Sequence, residues 1–139
     1  MAEPPTEALV TNLRYRSAWV AICEAYLRQI SDPEVRALLE AMQEVEQEAV
    51  ETLAALLRQR DISPMHVGSD ERLLRQALNR RSDDARVNFI RQGLIASQKW
   101  YQSQAAETPE AAELWRELAE EQAALARRFA GLLSWQEEG

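Results

Sequence analysis

Val35-Arg36-Ala37-Leu38-Leu39-Glu40-Ala41-Met42 is the stretch whose reading decides the fold, because a related stretch, Ala111-Ala112-Glu113-Leu114-Trp115-Arg116-Glu117-Leu118, returns 76 residues later. The register holds as far as Leu56-Leu57 against Leu132-Leu133. Each copy follows a turn, Ser31-Asp32-Pro33-Glu34 or Glu107-Thr108-Pro109-Glu110, and each turn follows a segment bearing Tyr26 or Trp100-Tyr101. The chain therefore reads as two similar helical hairpins in one molecule.

Working outward, residues 6–31 carry Leu9, Leu13, Arg16, Val20, Cys23, Leu27 and Ile30 at alternating steps of four and three, with Trp19, Ile22 and Tyr26 beside them. That rhythm predicts one broad apolar helix face. Asp32 reads as an N-cap with Pro33 at the first helical position, where a missing N–H costs nothing, and the second helix is expected to run to about Arg60. Its inward seam is Val35, Leu39, Met42, Glu46, Ala49, Leu53 and Leu56, so a carboxylate interrupts an apolar stripe.

Residues 61–70 lack periodicity and contain both Pro64 and Gly68, which predicts an irregular connection before a short helix over 71–80. Ser82-Asp83-Asp84 should cap a third long helix reaching about Ala106, with Val87, Ile90, Leu94, Ser97 and Tyr101 inward. Thr108-Pro109 should open the fourth, with Ala111, Trp115, Leu118, Gln122, Leu125, Phe129 and Leu132 in its seam. Residues 134–139 should fray. Hairpin one (6–60), crossover (61–82) and hairpin two (83–133) then make one all-α domain, a four-helix bundle whose long middle connection runs the bundle's length.

Composition agrees. With 4 Gly and 5 Pro in 139 residues, the chain suits long helices and is large enough to bury a core without disulfides. A net charge of −7 argues against nucleic acid, whose phosphates need a concentrated positive surface. Six Arg between Arg72 and Arg91, against Asp83 and Asp84, read as a solvated face. Cys23 is the single cysteine, so no internal disulfide can form and a cytoplasmic location is compatible. No leader and no membrane-spanning segment is expected.

Ala25-Tyr26, Trp100-Tyr101 and the Asp32-Pro33-Glu34 turn resemble scaffold signatures of the ferritin-like superfamily, specifically rubrerythrin-type domains and related bacterial domains of unknown function. The resemblance covers about Leu9 to Leu133. It implies two Glu-x-x-small-x-x-Phe-Tyr helices and two Glu-x-x-His helices holding two irons. Transferred onto this sequence, the carboxylates of the first motif fall on Trp19 and Leu94. The second motif falls on Glu46 and Ala49, and on Gln122 and Leu125. Only Glu46 of those six former ligand positions could bind a hard cation, whereas di-iron chemistry needs several anionic oxygens and imidazoles together. The expectation is no metal and no cofactor.

Pairing helices one and two about the Ser31-Asp32 turn sets Glu46 opposite position 17, within reach of Arg16. The internal repeat matches Arg16 to Arg91 and Glu46 to Gln122. A mid-bundle polar cluster of Arg16, Glu46, Arg91 and Gln122 is thus expected, with guanidinium as the counter-charge. Glu44, Glu48 and Glu51, and Glu113, Glu117, Glu120 and Glu121, read as solvated acidic faces. His66 has no second histidine or nucleophile near it in sequence and reads as a surface loop residue. Trp19, Trp100 and Trp115 read as core or interface anchors, and Trp135 as packing over the bundle end or contributing to self-association.

No catalytic motif is present, so the expected role is a non-enzymatic structural or protein-interaction module. Its partners would be itself or another protein, a homodimer included, and neither nucleic acid nor membrane. Two alternatives stay open: a residual metal-binding protein of oxidase or storage type using Glu24, Glu46 and Gln98, and an apolar ligand carrier lined by the aromatic stripe.

Overall fold

Asp32 does what its position predicts. In a computed structural model, which describes residues 4–132, its carboxylate accepts from the backbone N–H of Glu34 and Val35, and α2 (Pro33–Arg58) starts behind it. The preceding helix α1 (Thr6–Gln29) ends two residues earlier than expected, because Ile30 turns to extended backbone. Its last carbonyls are closed from across the turn. The Arg36 guanidinium donates to the carbonyls of Leu27 and Ile30, a C-terminal cap supplied by the neighbouring helix. The last helix ends at Gly131, two residues before the expected Leu133; the fraying of 134–139 and the placement of Trp135 lie outside the described residues.

Every regular element among the described residues is helical: α1, α2, α3 (Glu71–Leu78), α4 (Asp83–Glu107) and α5 (Ala112–Gly131), with 3₁₀ turns at Pro64–His66 and Pro109–Ala111. The chain divides into two compact units, Pro5–Arg80 and essentially Arg81 onward.

In the first unit α1 and α2 pair as an antiparallel hairpin. Arg60 reaches back to the Thr6 hydroxyl at 2.9 Å, tying the end of α2 to the start of α1. After α2 the backbone enters the left-handed region at Asp61 (φ 60°), and the Ile62 N–H donates to the Leu57 carbonyl at 3.0 Å, closing the helix end. The chain then travels along α1. Arg14 Nε donates to the Val67 carbonyl, the Asp70 N–H donates to the Arg14 carbonyl, and the Tyr26 hydroxyl donates to the Ala77 carbonyl at 2.7 Å. From Thr6 to Tyr26 is about 30 Å of helix, so the crossover returns the chain to the turn end of the first hairpin. The irregular connection contains one 3₁₀ turn, and the short helix stops at Leu78 rather than at Arg80.

In the second unit Ser82 caps α4 by accepting from the Ala85 N–H, as its sequence predicts. Thr108 and Pro109 do not open an α-helix directly. Thr108 makes no side-chain cap bond, the chain takes a 3₁₀ turn, and α5 begins only at Ala112. Across this turn Tyr101 stacks on Trp115 with ring centroids 5.9 Å apart, and the half-buried Trp100 meets Trp115 edge-on at 5.7 Å.

The cores follow the predicted stripes with a drift. Leu9, Leu13, Trp19, Cys23, Tyr26, Leu39, Met42, Leu53, Ile90, Leu94 and Phe129 are buried. In α2, Leu57 is buried and Leu56 only half-buried, the reverse of the expected seam. A strict four-three rhythm has a period of 3.5, and a helix of 3.6 residues per turn departs from it by about 20° per heptad. Val20, Leu27 and Leu118, also expected inward, are half-buried.

Candidate functional site

Arg16 stands on the inward face of α1 between Leu13 and Trp19, and Glu46 on the inward face of α2 between Met42 and Ala49. Both charged side chains are 0 % exposed, and Arg16 Nη1 donates to Glu46 Oε2. A lone buried charge is prohibitively unfavourable, so the two ions stabilise each other's presence in the core more than they stabilise the fold. Asn12, four residues before Arg16 and also buried, shares this face. Sequence reasoning passes over it, although its i, i+4 spacing to Arg16 on an apolar stripe is the signal that marks it.

Cys23 lies seven residues beyond Arg16 on the same face of α1 and is fully buried. Burial, and secondarily the Glu46 carboxylate, pushes its thiol well above the usual range. The thiol stays protonated and is a poor nucleophile.

Apart from Glu46, the positions that the ferritin-like resemblance would give to metal ligands hold other side chains. Trp19, Leu94, Ala49 and Leu125 are buried apolar side chains. Gln122 is 1 % exposed, and neither polar atom of its amide has a hydrogen-bond partner. Arg91 is half-buried and its Nε is also without a partner. Within the first unit Arg16 and Glu46 are hydrogen-bonded to each other, whereas within the second Arg91 and Gln122 are not. An amide and a guanidinium attract each other far less than two opposite ions do, and Arg91 stands on the flank of its stripe rather than at its centre.

These residues do not fit a di-iron centre. The single carboxylate among the six positions is engaged by a guanidinium, and no group of three or more His, Cys, Asp and Glu side chains able to hold a metal occurs among the described residues. His66 is exposed in its 3₁₀ turn, and Glu44, Glu48, Glu51, Glu113, Glu117, Glu120 and Glu121 are exposed, as expected of solvated faces. An open surface groove in the first unit is lined by Thr11, Arg14, Tyr15, Ser69 and Asp70. Arg14 and Asp70 are occupied there in holding the crossover and in capping α3 through the Leu73 N–H. No described helix is long and apolar enough to cross a membrane. No protein-family model, curated protein or solved structure matches this chain.

Proposed function

We propose that this chain is a ferritin-like protein of two related hairpins that works without catalysis, as a structural module binding protein, itself included. The observation that carries the reading is the buried Arg16–Glu46 pair. A guanidinium that holds the only carboxylate at the former ligand positions removes its negative charge from any cation and closes the space a substrate would need. Buried Trp19 and Leu94 act in the same direction by filling volume at native packing density.

The interaction half of the reading draws on the crossover. Met65 in the 3₁₀ turn is 91 % exposed and Leu78 at the end of α3 is also exposed, large apolar groups held out on a connection that is otherwise well tied down. Such groups gain by being covered.

Two measurements test the two halves separately. Elemental analysis of protein from iron- and manganese-supplemented cells should give no stoichiometric metal; metal that disappears in Glu46→Ala would overturn the non-catalytic half. Light scattering should give a mass above that of one chain, reduced to the monomer in the double variant Met65→Ser/Leu78→Ser. A wild-type monomer at every concentration would overturn self-association.

A further inference from the structure

In the first hairpin a buried guanidinium is paired with an acid; in the second the half-buried Arg91 has an Nε without a partner. Arg16 and Arg91 lie 75 residues apart, as do Tyr26 and Tyr101, and Glu46 and Gln122 lie 76 apart, as do Leu39 and Trp115. The Tyr101–Trp115 stack fixes the register of α4 against α5. In that register Arg91 and Gln122 differ in height by three residues, about 4.5 Å. The corresponding two side chains meet in the first hairpin. Yet Arg91 Nε and both polar atoms of the Gln122 amide are withdrawn from solvent with no partner. Two more donors of the same hairpin, the Ser97 hydroxyl and Trp115 Nε1, share that condition.

Such a set is rich in donors and holds a positive charge that a neutral amide cannot offset. Buried polar atoms in folded proteins are otherwise nearly always paired. The chemistry that satisfies Arg91 Nε and the Gln122 amide N–H is one small acceptor carrying negative charge on two oxygens, the group that Glu46 provides in the first hairpin. Ser97 and Ala119 fall at about the same height in this register, so the seam carries two small buried side chains one turn from Gln122.

We propose that the second hairpin binds a small free carboxylate, of the size of formate or acetate, accepting from the Arg91 guanidinium and the Gln122 amide. Arg91, the half-buried member, marks the way in from solvent. A charge-assisted pair of this kind is stronger than a neutral hydrogen bond, and the bound anion stabilises the folded chain by mass action.

The test uses the full chain at neutral pH and matched ionic strength, in chloride or in formate or acetate, with saturation-transfer NMR on the carboxylate protons and thermal melting as two readouts. Wild-type protein should show saturation transfer and a higher melting temperature in carboxylate. Arg91→Gln should fold and bind at least tenfold more weakly. Gln122→Glu should also lose carboxylate binding, while melting higher than wild type in chloride, because it supplies the acid internally. The proposal is overturned by absence of transfer to wild type or by undiminished binding in Arg91→Gln. A lower melting temperature of Gln122→Glu in chloride would equally overturn it, since that would place Arg91 out of reach of an acid there.

Discussion

Arg16→Met keeps most of the side-chain volume but strands the Glu46 carboxylate at a position with no solvent exposure. Left ionised it would be intolerable, so the variant protonates it instead, and the loss is capped by the work of protonation. Taking a carboxylate of usual pKa about 4.3 to its neutral form at pH 7 costs about 3.7 kcal/mol, inside the roughly 3–5 kcal/mol range for breaking a buried pair. At pH 5 the same cap is about 1 kcal/mol. Glu46→Leu is different in kind. It strands a guanidinium, which has no accessible neutral form, so acidification brings no relief. In a chain of this size 1 kcal/mol corresponds to roughly 3–5 °C in Tm. Arg16→Met should therefore melt about 10–18 °C below wild type at pH 7 but only about 3–5 °C below it at pH 5. Glu46→Leu should lose at least as much at pH 7 and keep that deficit at pH 5. The double variant Arg16→Met/Glu46→Leu should recover to wild-type stability or above it, since two apolar groups of similar volume replace an ion pair whose desolvation offsets its attraction. Scanning calorimetry at both pH values measures all four proteins. Equal deficits of Arg16→Met at pH 7 and pH 5, or none, would refute the reasoning, because water would then be reaching the pair.

Further predictions concern single contacts. Native Cys23 should resist thiol reagents and react fully once unfolded. Its raised pKa stabilises the fold in full below the unfolded thiol's value of about 8.5, and that contribution is lost as pH rises above it, at up to about 1.4 kcal/mol per pH unit; Cys23→Ala should remove this alkaline slope from denaturation curves. Tyr26→Phe takes the donor from the Ala77 carbonyl and should cost about 1–2 kcal/mol, with hydrogen exchange accelerated in α3 above all. Asp32→Ala removes the α2 cap and should lower stability by about 1 kcal/mol in urea titration.

Much of the architecture was legible in the chain itself. Asp32-Pro33 and Ser82-Asp83 announce helix starts through local hydrogen bonds that need no distant partner, and the helices begin there. The inward placing of Arg16, Glu46, Gln122 and the apolar positions around them follows from helical periodicity, because residues three and four apart must share a face. Sequence likewise shows Trp, Leu and Ala at most of the six positions that a ferritin-like reading would give to metal ligands. Where each stripe centres, by contrast, depends on how far a helix of 3.6 residues per turn drifts against its neighbour. That is why Leu57 rather than Leu56 lines the core. Tertiary structure alone also decides that Arg36 caps α1 from α2, that Tyr26 pins α3, and that Arg16 finds Glu46 while the Gln122 amide bonds to nothing. Those outcomes turn on side-chain rotamers and helix rotation, which packing sets and a linear pattern does not encode.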